Sequence, residues 1–177
     1  MQNELGHGLR LTQFEPSDKD VLVECLNDRD IYQRTLRIPY PYSAADAQRW
    51  LAIVDKATRH NGQPVNWAIR DSSGQVIGGI GFDGLVLGQT HRAEIGYWLA
   101  KPYWGHGIMP AAVQAVCRHA FDHLGLVKIV AHIFAFNQAS GRVLEKCGFQ
   151  CEGHLRQHYL KDGQLIDAKA YGLLRPD

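Results

Sequence analysis

The alternation of apolar and polar residues along the chain predicts seven β-strands and four helices. Strand-like alternation occupies residues 8–14, 65–70, 75–82, 93–99, 127–134, 149–159 and 164–174. Apolar residues spaced three or four apart predict helices that begin near residues 17, 43, 110 and 137. Because short turns join several consecutive strands, most strand pairs are expected to be antiparallel. Residues 1–177 are interpreted as a single domain, a usual size for one hydrophobic core.

The segment Glu94–Leu126 reads as a strand, a turn rich in glycine and proline, and a helix. The turn is Lys101–Gly107, and Pro110 suits the first helical turn, where backbone N–H groups have no partner in the helix. Gly105 and Gly107 carry no side chain, so an anion can approach the backbone at the positive end of the helix dipole. The order therefore indicates a phosphate or pyrophosphate site. The alternative is a tight connection that binds no ligand.

Known nucleotide-binding signatures do not fit this turn. The sequence lacks G-x-x-x-x-G-K-[ST], which argues against a P-loop nucleotidase, and it lacks the third glycine of a dinucleotide fingerprint. Instead, Trp104–Met109 (WGHGIM) resembles motif A of the GNAT N-acetyltransferases, and Ala93–Leu99 is similar to the preceding strand in the RimJ/RimL branch. Asn137–Phe149 is similar to a second GNAT pattern, N-x-x-[AS]-x-x-[VL]-x-x-K-x-G-F. Two motifs in the correct order are more specific than either alone.

The resemblance implies an α/β (α+β) GNAT fold with a mixed, mostly antiparallel seven-stranded sheet flanked by about four helices. The strands at Ile95 and Ile129 are expected to run parallel and to splay apart, admitting the pantetheine arm of acetyl-CoA. The resemblance also implies cosubstrate contacts from the strand, the glycine turn and the later helix. These residues are Trp98, Leu99, Trp104, Gly105, His106, Gly107, Ile108, Met109, Asn137 and Ser140.

Glu94 and Ser140 are the predicted catalytic residues. Glu94 precedes the glycine turn on its strand and can serve as the general base for the attacking amine, directly or through water. Its alternative is a solvated carboxylate. Many family members protonate the departing thiolate with a tyrosine at the position of Leu144, and in RimL-like members a serine at the position of Ser140 is proposed instead. The alternative for Ser140 is a small residue that gives the cosubstrate room.

The expected acceptor is a primary amine that attacks the thioester directly. By resemblance to the RimJ/RimL branch, it is a protein N-terminus; a small molecule such as a polyamine, amino sugar or antibiotic is the second option. A non-catalytic acyl-CoA-binding sensor is the third. Tyr40 and Tyr42, in the loop before the second predicted helix, are candidate acceptor contacts. Their alternative is packing beneath that helix.

Composition narrows the remaining classes. The net charge of +1 gives no broad basis for nucleic-acid or membrane-surface binding, and MQNELGHGLR has no signal-peptide core, so a cytoplasmic protein is expected. The sequence is compatible with either a monomer or a homodimer. Cys147, Cys151, His154 and His158 form C-x3-C-x2-H-x3-H, but zinc fingers separate their ligand pairs by about a dozen residues. No metal is therefore expected, and the histidines are interpreted as solvated or partly packed.

Overall fold

The computed structural model describes residues 4–6 and 8–176, in which eight strands form one sheet flanked by five α-helices. The strands are β1 (Glu4–Gly6), β2 (Leu9–Thr12), β3 (Asn66–Arg70), β4 (Val76–Asp83), β5 (Arg92–Leu99), β6 (Lys128–Phe134), β7 (Gln150–Lys161) and β8 (Gln164–Leu174). The helices are α1 (Lys19–Leu26), α2 (Arg29–Arg34), α3 (Ala44–Asn61), α4 (Ile108–His123) and α5 (Gln138–Lys146). A short 3₁₀ turn at Pro16–Asp18 precedes α1, and another at Lys101–Tyr103 begins the glycine turn.

The predicted counts of seven strands and four helices were each one too low. The missed strand, β1, has only three residues and pairs with β2 through an irregular register. The missed helix, α2, has six residues and a single buried side chain, Ile31, so it carries no apolar periodicity. The Asp28 carboxylate starts it by accepting hydrogen bonds from the backbone N–H groups of Asp30 and Ile31.

The strand order is β1-β2-β3-β4-β5-β6-β8-β7. All neighbouring pairs are antiparallel except β5 and β6, which run parallel as predicted. The sequence itself sets several connections. Asp71 closes the β3–β4 turn by accepting hydrogen bonds from the N–H groups of Ser73 and Gln75. Ser43 and Asp46 form the capping box that begins α3.

Helices cover both faces of the sheet. α4 packs on one face through Ala112, Val113, Val116 and Ala120, which are all fully buried. A smaller cluster on the other face contains Leu22, Leu26, Ile31, Tyr42 and Ala47 from α1, α2, α3 and the loop before α3. Successive strand residues point to opposite faces, and accordingly Leu99 joins the α4 side while Trp98 packs against the smaller cluster.

A buried ion pair ties the segment before α1 to the sheet. The Arg70 guanidinium donates Nη1 to Asp18 Oδ1 at 2.9 Å and Nη2 to Asp18 Oδ2 at 2.8 Å. Its Nε donates to Thr12 Oγ1 at 2.7 Å. Both charged side chains are almost fully buried, so this paired geometry compensates for removing them from water.

Candidate active site

The centre of the molecule contains a gap between two strands that begin as neighbours. β5 and β6 pair at Arg92–Lys128, Ala93–Ile129 and Glu94–Val130, and the ladder ends there. The side of β5 that faces β6 is therefore unpaired over Gly96–Leu99. Backbone N–H and C=O groups along such an edge can bind the amides of an extended ligand, in the way an added strand would.

The glycine turn lies at the end of β5 that this gap opens towards. Gly105 has φ 82° and Gly107 has φ 76°, a left-handed region that glycine enters without steric cost. Gly107 caps α4 without any side-chain hydrogen bond in the described part of the chain, and Ile108 and Met109 bury their side chains in the core. Among residues 105–109, His106 is therefore the one exposed side chain, and the backbone at the start of α4 is left accessible, as an anion site at a helix N-terminus requires.

Trp104 links the turn to β5. Its indole Nε1–H donates to the Leu99 carbonyl at 2.6 Å, and the Arg34 guanidinium lies 5.5 Å from its ring. The side chain of Trp98 points to the other face, over the glycines of β4; a Cβ at Gly79 would lie 2.5 Å from its Nε1. By the β4–β5 register, the backbone groups of Trp98 face Gly79 of β4, so Leu99 is the residue of the two that offers backbone groups to the gap.

Across the gap, α5 begins with the predicted N-cap residue. Asn137 Oδ1 accepts a hydrogen bond from the Ser140 N–H at 3.3 Å, and its Nδ2 donates to the Arg34 carbonyl at 3.5 Å. Asn137 therefore both starts α5 and contacts the end of α2. Leu144 is fully buried, so it is a core residue at the position where many relatives carry a tyrosine.

The hydroxyl of Tyr97 also belongs to this site, although the sequence analysis predicted no role for it. Its hydroxyl lies 2.8 Å from Ser140 Oγ and 3.3 Å from the Ser140 carbonyl oxygen. Burial raises the pKa of Tyr97 well above its usual range, so the phenol is neutral and able to donate. Its alternation with Ile95 and Leu99 indicated only a core position, since Tyr97 and Ser140 lie 43 positions apart and the sequence carries no signal of their contact.

Glu94 occupies the last paired position of β5, where the gap starts. Its Oε1 lies 3.1 Å from Nδ1 of His132 on β6, and both side chains are partly exposed. Asp83 lies directly opposite Glu94 on β4 and forms an ion pair with Arg37 at 2.8 Å. Burial raises the pKa of Asp83, Arg37 opposes this, and the negative charge of Glu94 adds to the rise. Two neighbouring carboxylates therefore stand at the start of the gap.

The two candidate acceptor tyrosines differ in exposure. Tyr40 is 38% exposed, and its ring lies 5.8 Å from that of Tyr32. Tyr42 is only 5% exposed and belongs to the small cluster under α3. The structure therefore leaves the Tyr40 ring accessible at the surface and encloses Tyr42 among apolar side chains.

The four residues of the C-x3-C-x2-H-x3-H pattern do not converge. Cys147 contacts the Pro110 carbonyl, His154 contacts Asp167, and the His158 ring stacks on His132. Within residues 4–6 and 8–176, no three histidine, cysteine or acidic side chains are grouped closely enough to hold a metal ion. Over the same residues, no helix is long and apolar enough to cross a membrane.

Comparison with known proteins decides the family. Residues 8–150 match the family described as Acetyltransferase (GNAT) domain. The chain belongs to the GNAT acetyltransferases. The identification of the chain as an acetyltransferase of this superfamily is thereby confirmed, as is the expected GNAT fold with its parallel strand pair.

Three bacterial relatives are named as N-acetyltransferases. Uncharacterized N-acetyltransferase YoaA of Bacillus subtilis is 40% identical over 63% of each protein, so the matched part is just under two thirds of that relative. Uncharacterized N-acetyltransferase p20 of Bacillus licheniformis is 30% identical over 94% of this chain and 93% of its own. The [ribosomal protein uS5]-alanine N-acetyltransferase of Escherichia coli is 31% identical over 58% of this chain and 53% of its own.

Solved GNAT structures share the fold over nearly the whole chain. RimL, a ribosomal L7/L12 α-N-protein acetyltransferase in complex with coenzyme A, superposes with a TM-score of 0.88 at 22% identity, covering 98% of both chains. Spermidine N-acetyltransferase from Vibrio cholerae, in complex with CoA and spermine, gives 0.77 at 24% identity, covering 94% and 95%. Because both sequence identities are below 25%, these superpositions establish a shared fold and nothing about the acceptor.

Proposed function

We propose that this chain transfers the acetyl group of acetyl-CoA to a primary amine by direct attack, within one domain. The observation that carries the proposal is the β5–β6 gap, which runs between Glu94 on one side and the Ser140–Tyr97 contact on the other. The site-bearing elements belong to one sheet and its flanking helices, which supports a single domain.

Acetyl-CoA fits the site as the second substrate. The diphosphate would bind the backbone N–H groups of Gly105–Met109, where two left-handed glycines leave the helix terminus uncovered. The pantetheine amides would bind the unpaired backbone of Leu99 from one side and Asn137 from the other, whereas the backbone of Trp98 pairs with β4. For Leu99, the carbonyl is already engaged by the Trp104 indole, so its N–H is the group we assign to the ligand.

Glu94 is the proposed base. An ammonium acceptor must lose a proton before its nitrogen can attack the thioester carbonyl. The carboxylates of Glu94 and Asp83 also attract a cation to the start of the gap. Holding the two substrates together in this geometry supplies much of the rate without a covalent intermediate.

Ser140 is the proposed donor to the departing thiolate. If the neutral Tyr97 phenol donates to Ser140 Oγ, the serine proton is free to point towards the sulfur. The N–H groups at the start of α5 add a positive dipole at the same place. A non-catalytic acyl-CoA-binding sensor would require the glycine turn but not the paired hydroxyls of Tyr97 and Ser140.

The acceptor we propose is a protein N-terminus of the ribosomal-protein-alanine type. The support is the E. coli relative, whose name states that acceptor, together with the loop before α3, which carries the exposed Tyr40 and whose Arg37 pairs with Asp83. A small polyamine is the second candidate. It is favoured by the adjacent Asp83 and Glu94 carboxylates, which suit a ligand with several positive charges.

Release of free thiol from acetyl-CoA tests these readings. The panel would contain a peptide with N-terminal alanine, the same peptide with a blocked N-terminus, spermidine and an amino sugar. Peptide-dependent release that the blocked peptide abolishes supports a protein N-terminus; release with spermidine alone favours the polyamine. Binding of CoA without thiol release in the presence of any of these amines would favour the non-catalytic acyl-CoA-binding sensor.

Glu94→Gln is the matching variant, with the exposed Glu24→Gln as its control. We expect Glu94→Gln to lower turnover by about 10²–10⁴-fold, most at low pH, where the amine is protonated. Glu24→Gln should match the unaltered enzyme. Equal pH–rate profiles for all three proteins would reduce Glu94 to a structural carboxylate.

A further inference from the structure

His132 is the one titratable side chain on β6 that reaches the proposed base. Its Nδ1 lies 3.1 Å from Glu94 Oε1, and the residue stands two positions beyond Val130, the last β6 residue paired with β5. The side chain is 23% exposed, so its second ring nitrogen is within reach of water. Sequence reasoning assigned no role to this residue.

A distortion of the sheet edge places a second imidazole against His132. The β7–β8 register shifts between Leu155 and Tyr159, so extra residues of β7 bulge from the ladder. Gln157 enters the left-handed region there with φ 50°, and its N–H donates to Asp167 Oδ1 at 2.8 Å. Asp167 also holds His154 at 2.8 Å, so a single carboxylate fastens the bulge at two points.

The bulge carries His158 and Tyr159 over the site. The His158 ring stacks on the His132 ring with centroids 5.7 Å apart and an interplanar angle of 27°. Tyr159 packs edge-on against His158 at 4.6 Å and against Phe134 of β6 at 5.6 Å. These contacts cover one face of the His132 ring and limit its rotation.

We propose that His132 is a positioning residue that fixes the Glu94 carboxylate and takes up the proton that Glu94 removes from the acceptor. The inference rests on the proposed function of Glu94. Before reaction the Nδ1–H of His132 donates to the Glu94 carboxylate. Exchange with water moves the ring proton to Nε2, so Nδ1 can accept the proton that Glu94 has taken from the amine. The ring then releases the proton on Nε2 to water, which restores the Nδ1–H tautomer. One proton enters and one leaves, so Glu94 is again a carboxylate after each turnover.

The charged groups around the pair are consistent with this path. Asp83 faces it from β4, Arg37 from the loop before α3, and His158 and Tyr159 from β7. Arg37 is already paired with Asp83, which leaves His132 as the partner within 4 Å of Glu94 among the ion pairs of the described residues. A proton on Glu94 therefore has a titratable acceptor at hydrogen-bond distance in Nδ1 of His132.

Rates under saturating acetyl-CoA across a pH series provide the first test. We expect His132→Ala to lower kcat by up to about 10²-fold and to shift the pH at which the rate is half-maximal, leaving the KM for acetyl-CoA unchanged. His132→Asn keeps a donor near the Nδ1 position and cannot relay a proton, so it should recover part of the rate. The exposed His60→Ala is the control for loss of an imidazole elsewhere.

Free imidazole and a double mutant distinguish proton transfer by His132 from a purely structural role of this residue. Imidazole added to His132→Ala should restore turnover, and it should have no effect on Glu94→Gln. Because His132 acts through Glu94, the Glu94→Gln/His132→Ala protein should be no slower than Glu94→Gln alone. Independent losses that multiply, or a His132→Ala enzyme with an unchanged pH profile and no response to imidazole, would overturn the proposal.

A measurement without turnover distinguishes this proposal from the function on which it rests. Nitrogen NMR shifts of the His132 ring should change in Glu94→Gln and stay constant in His60→Ala. Unchanged shifts would show that the two side chains do not interact in solution. An unaltered protein that releases no thiol with any amine would overturn the catalytic function itself, and the relay with it.

Discussion

The Tyr97 hydroxyl lies 2.8 Å from Ser140 Oγ, joining β5 to the first turn of α5 across the gap between β5 and β6. The phenol is buried and its pKa is raised, so its proton stays on oxygen at neutral pH. This contact gives Ser140 a hydrogen-bonding partner that a serine chosen only for its small size would not need.

Removal of each hydroxyl tests that relationship. Ser140→Ala should lower the single-turnover rate by about 10²-fold, near the lower end for acid catalysis because a thiol is a good leaving group. Tyr97→Phe should lower it less, since Ser140 keeps its own proton, and affinity for CoA should stay nearly constant in both. A full single-turnover rate for Ser140→Ala, together with blocked binding in Ser140→Leu, would mean that Ser140 only provides space.

The glycine turn can be tested against a matched glycine at the other end of α4. Gly107→Glu and Gly125→Glu both place a side chain on left-handed backbone, at φ 76° and φ 69°, with open space around the new Cβ. Both should lose about 1–2 kcal/mol of stability from backbone strain. Only Gly107→Glu should weaken CoA binding in calorimetry, because it brings negative charge to the proposed diphosphate site. Equal affinity for CoA in the two folded variants would contradict a diphosphate site at Gly107.

The buried Arg70–Asp18 pair should dominate the stability of the segment before α1. Arg70→Ala leaves the Asp18 carboxylate buried without its charged partner, so we expect a loss of about 3–5 kcal/mol in the free energy of unfolding by urea. The exposed i,i+4 pair Arg59–Asp55 is the control, and Arg59→Ala should cost under about 1 kcal/mol. Similar losses for the two variants would contradict the assignment.

Alkaline pH should destabilise the protein through its enclosed tyrosines. Burial raises the pKa of Tyr42 to about 12, with the charge of Asp46 contributing, against about 10 for an exposed tyrosine. The neutral phenol therefore contributes its full stability below about pH 10, and that contribution is lost as the pH rises towards 12.

Replacing Tyr42 by phenylalanine tests this sign. Tyr42→Phe should make the free energy of unfolding fall less steeply between about pH 10 and pH 12. Tyr171, whose pKa is also raised to about 12, would keep part of the slope. The exposed Tyr40→Phe should leave the slope as it was. A steeper fall in Tyr42→Phe would reverse the argument.

Local patterns in the sequence determined much of the fold. The Ser43–Asp46 capping box, the Asp71–Gly74 turn and the strand–turn–helix order around Gly107 all act over a few residues, and the structure contains each of them. Such features depend on hydrogen bonds and backbone angles within one turn, which neighbouring residue types largely dictate. The sequence analysis did not predict β1 and α2, because each contains too few residues to show a hydrophobic periodicity.

Only the tertiary structure decided which side chains meet at the candidate site. Ser140 meets Tyr97, Glu94 meets His132, and Arg70 meets Asp18, through contacts between residues far apart in the chain. The first two contacts lie where the β5–β6 ladder ends, and the β7 bulge adds His158 against His132; the alternation of residues specifies neither feature. A period of two indicates which face a side chain occupies, but the partner it finds there depends on how the strands diverge and bend.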